Sequence, residues 1–202
     1  MLEVKDATIA VGDKILATAL SFIARDGELT CLTGPEGSGK TTFIRTLMGF
    51  LPVRQGFVSV DGELLTVYSA HIFRKMMVYL PQTVPMLAHQ LWEPEAPDCP
   101  PDDYAVWNDQ LPSVVQEPQP EPLSGEEIYL LAEKTLREAE DRPIVIADEP
   151  TASMNSEQTL RMLELLREQA RKGKTVLVAS RKPTIIAYAN QVIHLKDMKR
   201  WI

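Results

Sequence analysis

Features that are scarce in this sequence exclude several classes of protein. Its 202 residues include only two cysteines, Cys31 and Cys99, which suggest no disulfide framework and fit a reducing compartment. The sequence has no run of about eighteen apolar residues, and it does not begin with a basic region followed by an apolar one. We therefore expect a cytoplasmic chain that does not itself span a membrane. The formal net charge of -7 leaves no surplus of Lys and Arg, which disfavours a general nucleic-acid binder.

Basic residues are also missing from one continuous segment, residues 83 to 122. This segment holds nine of the fifteen prolines and eight acidic residues, but no Lys or Arg. Prolines at this density forbid a long helix, so we expect an extended path. A solvated, partly disordered loop and a docking surface both fit the composition, and the aromatic residues Trp92, Tyr104 and Trp107 favour docking.

The remaining pattern predicts one α/β domain over residues 1–202, with the Pro-rich segment inserted in it. A hydrophobic content of 45% and a charged content of 24% are ordinary for a globular protein of this length. Runs of alternating polarity from Leu2 to Val11 and from Ile15 to Ala24 predict antiparallel strands. Later β-branched runs alternate with helical patterns, which predicts a mainly parallel sheet flanked by helices and preceded by the antiparallel β part.

A long amphipathic helix is predicted from about Ser156 to Lys172, before Gly173. Leucines recur in it at three-residue intervals, which is close to the helical repeat. The predicted core positions of this helix are Leu160, Leu163 and Leu166.

The stretch from Gly34 to Thr42 matches the P-loop pattern G-x-x-x-x-G-K-[ST] without a substitution. It follows a strand pattern and opens a helical one, so a bound phosphate would lie at a helix N-terminus. Backbone amides would surround the β-phosphate, Lys40 would reach the β- and γ-oxygens, and the Thr41 hydroxyl would ligate Mg²⁺. The residues predicted to bind the nucleotide here are Gly34, Pro35, Glu36, Gly37, Ser38, Gly39, Lys40, Thr41 and Thr42.

Two carboxylates follow the apolar run from Ile144 to Ala147. We expect this run to be a strand beside the one that precedes the P-loop, at the sheet edge where open α/β sheets bind ligands. Asp148 would hold Mg²⁺ through a water molecule, and Glu149 would orient or deprotonate the water that attacks the γ-phosphate. The sequence therefore predicts a site for a nucleoside triphosphate and Mg²⁺.

Five motifs, taken in order, resemble those of the ATP-binding subunits of ABC transporters, and the resemblance spans nearly the whole chain. Gly34 to Thr42 matches the Walker A motif and Ile144 to Glu149 the Walker B motif with its catalytic glutamate. Gln82 matches the Q-loop glutamine, Leu123-Ser124-Gly125 the start of the signature motif, and Pro150-Thr151 the approach to the D-loop.

The resemblance implies a head-to-tail dimer in which ATP lies between the P-loop of one subunit and the signature motif of the other, here Ser124 and Gly125. It implies that Gln82 joins Lys40 and Glu149 in hydrolysis and contributes to the Mg²⁺ site. Closure of the dimer would drive integral membrane subunits, placing this chain on the inner face of the cell membrane. Both a homodimer and a heterodimer with another ATP-binding subunit are compatible with these motifs.

Four positions depart from the family pattern. Glu126 stands where the signature motif has a second glycine, and an acidic side chain there would repel a partner's γ-phosphate. Arg181 occupies the switch-histidine position and keeps a cation that could reach a γ-phosphate, but it cannot exchange protons as imidazole does. Asn155 replaces the D-loop aspartate, and Val11 stands where an aromatic residue usually stacks on adenine.

An ATPase that powers transport is therefore the leading hypothesis, and two others remain. A nucleotide-responsive regulatory module with little or no hydrolysis is favoured by Arg181 and Glu126, but is opposed by the intact Glu149. An ABC-like ATPase of DNA maintenance is disfavoured because the segment after Gln82 has neither heptads nor basic clusters. Purification with a membrane protein or with a soluble partner would separate the first two.

Overall fold

The computed structural model describes residues 1–11, 14–82 and 123–195, without the side chains of Val11 and Lys14. The Pro-rich acidic segment, with Cys99 and the aromatic residues assigned to docking, lies outside the described residues. Cys31 is buried. Among the helices in the described ranges, none combines the length and apolar character needed to cross a bilayer.

The N-terminal part forms a four-stranded antiparallel sheet, as the alternating patterns predict. Asp61 and Gly62, both at positive φ, form the tight turn between its last two strands. In spatial order the strands are β2 (Lys14–Ala24), β1 (Leu2–Val11), β4 (Gln55–Val60) and β5 (Glu63–Leu64).

The second sheet has five strands, and every neighbouring pair in it is parallel. In spatial order the strands are β6 (Met77–Leu80), β7 (Ile144–Asp148), β8 (Thr175–Ala179), β3 (Leu29–Thr33) and β9 (Gln191–His194). Every residue of β3, β7 and β8 is buried, as expected for a parallel sheet covered on both faces. The predicted fold class is confirmed.

Helices cover the parallel sheet on both faces and divide the core into two clusters. The described helices are α1 (Lys40–Leu47), α2 (Ala70–Lys75), α3 (Gly125–Glu138), α4 (Ser156–Arg171) and α5 (Pro183–Tyr188). Ile146 of β7 packs in the cluster that α1 shares with the antiparallel sheet. Its neighbour Val145 packs with α3 and α4 on the other face, because successive residues of a strand point to opposite sides.

The prediction that the strand ending in Asp148 lies beside the P-loop strand is wrong. The structure places β8 between β3 and β7, so the strand that carries Asp148 is separated from the P-loop strand. Consecutive strands joined by one helix commonly pair, and α4 returns the chain from β7 to the adjacent β8. The loop after β8 is thereby placed between the P-loop and the acidic pair, which gives Arg181 its position.

One predicted core position in α4 is also wrong. Leu163 and Leu166 are buried, but Leu160 is 50% exposed. The buried face of the helix begins at Thr159 and continues through Met162, three residues later. Since each residue of a helix turns by about 100°, Leu160 lies to one side of that face.

Candidate nucleotide-binding site

The P-loop connects β3 to α1 and presents the start of that helix to a pocket. Gly39 is the N-cap of α1 and has φ 91°, a left-handed conformation that glycine adopts without strain. A Cβ atom at this position would also come within 2.9 Å of Leu16 Cδ1. No side chain caps α1, so its first backbone N–H groups are available to an anion.

Lys40 lies folded over the P-loop and is only 8% exposed. Its Nζ donates to the carbonyl oxygens of Gly34 at 3.1 Å and Pro35 at 3.3 Å. The same Nζ lies 3.5 Å from Glu149 Oε1, which joins the P-loop to the end of β7. The lysine and the glutamate that the sequence assigns to catalysis are therefore in contact.

Asp148 is 1% exposed, and neither carboxylate oxygen has a hydrogen-bond partner among the described residues. Burial raises the pKa of Asp148, and the adjacent Glu149 raises it further. The nearby Thr41 hydroxyl and the positive charge of Lys40 oppose that rise. A buried carboxylate with unsatisfied oxygens next to a hydroxyl fits a hard cation such as Mg²⁺, which keeps several waters and needs few protein ligands.

We predict that Asp148→Asn raises the thermal stability of the metal-free chain. Because the native pKa of Asp148 is raised, its ionisation favours the unfolded chain, and stability falls as the pH rises through the ordinary range of Asp. Removing the charge should therefore raise the melting temperature at pH 7. Thermal unfolding in a chelator measures this, with the exposed Asp141→Asn as control. A lower melting temperature for Asp148→Asn alone would contradict it.

Glu149 follows directly and has an unusual backbone. Its φ of 47° is in the left-handed region, which costs a non-glycine residue roughly 1–3 kcal/mol and is common at functional sites. Its N–H donates to Ala179 O at 2.9 Å, at the end of β8. The side chain of Glu149 is 10% exposed and lies between Lys40 and Arg181. The Nε of Arg181 is 3.3 Å from Glu149 Oε1.

The side chains of Lys40, Glu149 and Arg181 line a pocket of about 430 Å³. Gln82, Thr41 and Thr42 line it as well, so the structure brings the predicted Q-loop and P-loop residues together. Ser38, within the P-loop, is buried, and its Oγ has no hydrogen-bond partner among the described residues. The residues that line the pocket are Leu16, Glu36, Gly37, Gly39, Lys40, Thr41, Thr42, Gln82, Glu149 and Arg181.

Leu16 is the pocket residue that sequence reasoning missed. It lies on β2 and packs against Gly39, a contact between distant parts of the chain that no local motif marks. The alternating pattern of β2 identifies an apolar residue at this position but not what it packs against. Val11, assigned to the adenine, has a side chain outside the described part of the structure.

Ser124 and Gly125 are not brought to this pocket. They begin α3, where Ser124 N and Oγ both donate to Glu127 Oε2, at 2.8 and 2.7 Å. These bonds lower the pKa of Glu127. Glu126, expected to be repulsive, has an internal partner, because Arg161 Nη1 lies 2.9 Å from its Oε2. The negative charge of Glu126, which was expected to repel the nucleotide of a partner subunit, is therefore partly compensated by Arg161 of the same chain.

The structure is that of a P-loop nucleotide-binding domain. The glycine-rich loop after β3 and the buried carboxylate of Asp148 lie at the same edge of the parallel sheet. Residues 17–152 match the family model described as ABC transporter, and the chain belongs to that family. It is an ABC-type ATP-binding domain, with the parallel sheet and antiparallel β part that the sequence predicts.

Individual relatives differ in how much of their length this chain covers. It is 24% identical to an uncharacterized ABC transporter ATP-binding protein of Haemophilus influenzae, covering 98% of this chain and 81% of that protein. It is 28% identical to an ATP-dependent lipid A-core flippase of Burkholderia thailandensis over 89% of this chain. The chain spans only 32% of that flippase, about a third of its length.

Solved structures share the fold at low sequence identity. A nucleotide-free ATP-binding cassette has a TM-score of 0.71 at 18% identity, covering 98% of this chain and 89% of that one. A dimeric ATP-binding cassette in a post-hydrolysis state with ADP and phosphate has a TM-score of 0.69 at 18% identity, covering 98% and 97%. These likenesses establish the architecture.

Proposed function

We propose that this chain binds ATP with Mg²⁺ in the pocket at the N-terminus of α1 and hydrolyses it to power transport. The observation that carries the proposal is the contact between Lys40, at the start of α1, and Glu149, at the end of β7, in one pocket, with the buried Asp148 close to Thr41. Membership of the ABC transporter family supports the same activity.

Each residue of the proposed site has a distinct task. Amides of the P-loop and the Lys40 ammonium bind the β- and γ-phosphates, and the chain holds Mg²⁺ through Thr41, Asp148 and Gln82. The metal would neutralise charge that develops on the phosphate oxygens. Glu149 orients and deprotonates the attacking water. Since its carboxylate contacts Lys40 and Arg181 here, a bound triphosphate would have to take over those cations first.

Coupling to transport requires partners, which we propose are integral membrane subunits and a second ATP-binding subunit. Ser124 and Gly125 would face the nucleotide of that second subunit, and their absence from the lining of the chain's own pocket supports this. A relative named as a flippase and a neighbour solved as a dimer support this arrangement. The chain would then act as a single domain on the inner face of the membrane.

Release of phosphate from ATP tests the enzymatic part. We expect release with Mg²⁺ and none when a chelator removes the metal, because the buried Asp148 oxygens have no hydrogen-bond partner among the described residues and are proposed to hold the metal that neutralises the phosphate charge. Bound ATP without phosphate release in either medium would overturn the proposed hydrolysis. That result would favour a nucleotide-responsive regulatory module. The contacts of Lys40 and Arg181 with Glu149 also favour such a module, because they engage the carboxylate that would act on water.

A further inference from the structure

The loop proposed to bind phosphates carries an acidic residue. Glu36 lies within the P-loop, lines the pocket, and has a side chain that is 88% exposed. A phosphate at the start of α1 would lie close to this carboxylate, and like charges repel. A triphosphate places more negative charge in the pocket than a diphosphate does. An uncompensated Glu36 would therefore disfavour ATP relative to ADP.

Arg181 stands opposite Glu36 and contacts it across the mouth of the pocket. Its Nη1 lies 3.2 Å from Glu36 Oε2, while its Nε lies 3.3 Å from Glu149 Oε1. The guanidinium thus bridges the P-loop and the end of β7. A guanidinium has five N–H donors in a planar fork, which is enough for a third anionic acceptor beside two carboxylates.

Arg181 lies next to backbone that is hydrogen-bonded on both sides of the end of β8. It follows β8, the strand between β3 and β7, and the flanking Ser180 N–H donates to Leu32 O at 3.0 Å. The Glu149 N–H in turn donates to Ala179 O, on the other side of the same strand end. The backbone just before Arg181 is therefore hydrogen-bonded at the edge of the sheet, and its side chain is 49% exposed.

We propose that Arg181 masks the charge of Glu36, and that this pair sets the preference of the pocket for a triphosphate over a diphosphate. The inference rests on the proposed function, since it assumes that ATP binds here. Arg181, and not Lys40, is the cation in contact with Glu36, because the Nζ of Lys40 contacts the carbonyls of Gly34 and Pro35 and the carboxylate of Glu149.

The masking also gives a physical reason for an arginine at the position where the family has histidine. Histidine is mostly neutral at physiological pH, whereas arginine keeps its charge at every pH the protein meets. A permanently acidic P-loop residue requires a permanent cation. The departure from the family pattern at Arg181 is therefore explained by its contact with Glu36.

A double-mutant cycle tests the pairing through nucleotide selectivity. Wild type, Glu36→Gln, Arg181→Gln and the double variant are titrated with MgADP and with the Mg²⁺ complex of a triphosphate analogue whose β–γ bridge is an imido group. The measured quantity is the ratio of the two dissociation constants for each protein. Neither substitution removes a buried side chain, and equal melting temperatures confirm that each variant folds.

We expect Arg181→Gln to weaken binding of the analogue by roughly 30-fold and that of ADP by less than about threefold. The double variant should regain roughly five- to tenfold of the lost analogue affinity, because the unmasked carboxylate is gone. Glu36→Gln alone should change the ratio by less than about threefold, since Arg181 already neutralises that charge. The regained affinity should shrink in 0.5 M salt, which screens exposed charges.

The same cycle on Glu164 and Arg171, an exposed pair on α4 that does not line the pocket, is the matched control and should leave the ratio unchanged. Equal ratios for Arg181→Gln and the double variant would overturn the pairing while leaving ATP binding intact. Failure of the wild type to bind either nucleotide would overturn the proposed function itself.

Discussion

Glu149→Gln is expected to lower the turnover of ATP by roughly 10²- to 10⁴-fold, the usual contribution of a positioned general base. The amide keeps the size of the side chain but cannot accept a proton from water. It also no longer attracts Lys40 and Arg181, which lie 3.5 and 3.3 Å from the carboxylate. Affinity for ATP should therefore stay the same or increase while kcat falls. Phosphate release and direct titration measure the two quantities separately.

A matched control is Glu168→Gln, on the exposed side of α4 and 3.6 Å from Lys172. It removes the same charge from a surface ion pair and should leave turnover unchanged. If Glu149→Gln also turned over at the wild-type rate, Glu149 would have no part in the reaction, and the positive φ of its backbone would need another explanation.

Lys40→Ala is expected to weaken the binding of MgATP by roughly 10- to 100-fold, the loss of one or two charge-assisted hydrogen bonds. The residue is 8% exposed and lies against the P-loop carbonyls, so its ammonium is already close to where the phosphates would bind. Its removal also leaves Glu149 facing a triphosphate with the contact to Arg181 but without the one to Lys40. Isothermal titration calorimetry measures the change.

Lys134→Ala serves as the control for Lys40→Ala. Its ammonium is exposed on α3 and pairs with Glu138 at 3.8 Å, so the same net charge is lost away from the pocket. We expect its affinity to equal that of the wild type. Dissociation constants within about twofold for Lys40→Ala and the wild type would remove Lys40 from the binding site.

Much of the fold follows from local signals in the sequence. Alternating polarity located β1 and β2, a continuous apolar run located β7, and Gly173 follows the last turn of α4. These features depend on residues close together in the chain, which is why periodicity detects them. The order of strands in the sheet depends on which strands pair, and β8 between β3 and β7 could not be read from any one segment.

The same distinction separates the parts of the site. The P-loop and the acidic pair are local motifs, and the structure brings their side chains within 3.5 Å of one another at Lys40 and Glu149. Their catalytic roles stay predictions. Leu16 and the contact of Glu36 with Arg181 join residues far apart in sequence, so neither could be predicted from spacing. Glu126 was expected to be an uncompensated charge, and only the packing of α3 on α4 shows Arg161 beside it.

The most direct test of the central claim is a crystal structure of the chain with Mn²⁺ and the imido triphosphate analogue. Anomalous scattering locates the manganese independently of the protein atoms. We predict one peak at the Thr41 hydroxyl, with Asp148 joined to the metal through water and the phosphates at the N-terminus of α1. Nucleotide bound elsewhere, or manganese away from Thr41 and Asp148, would contradict the account.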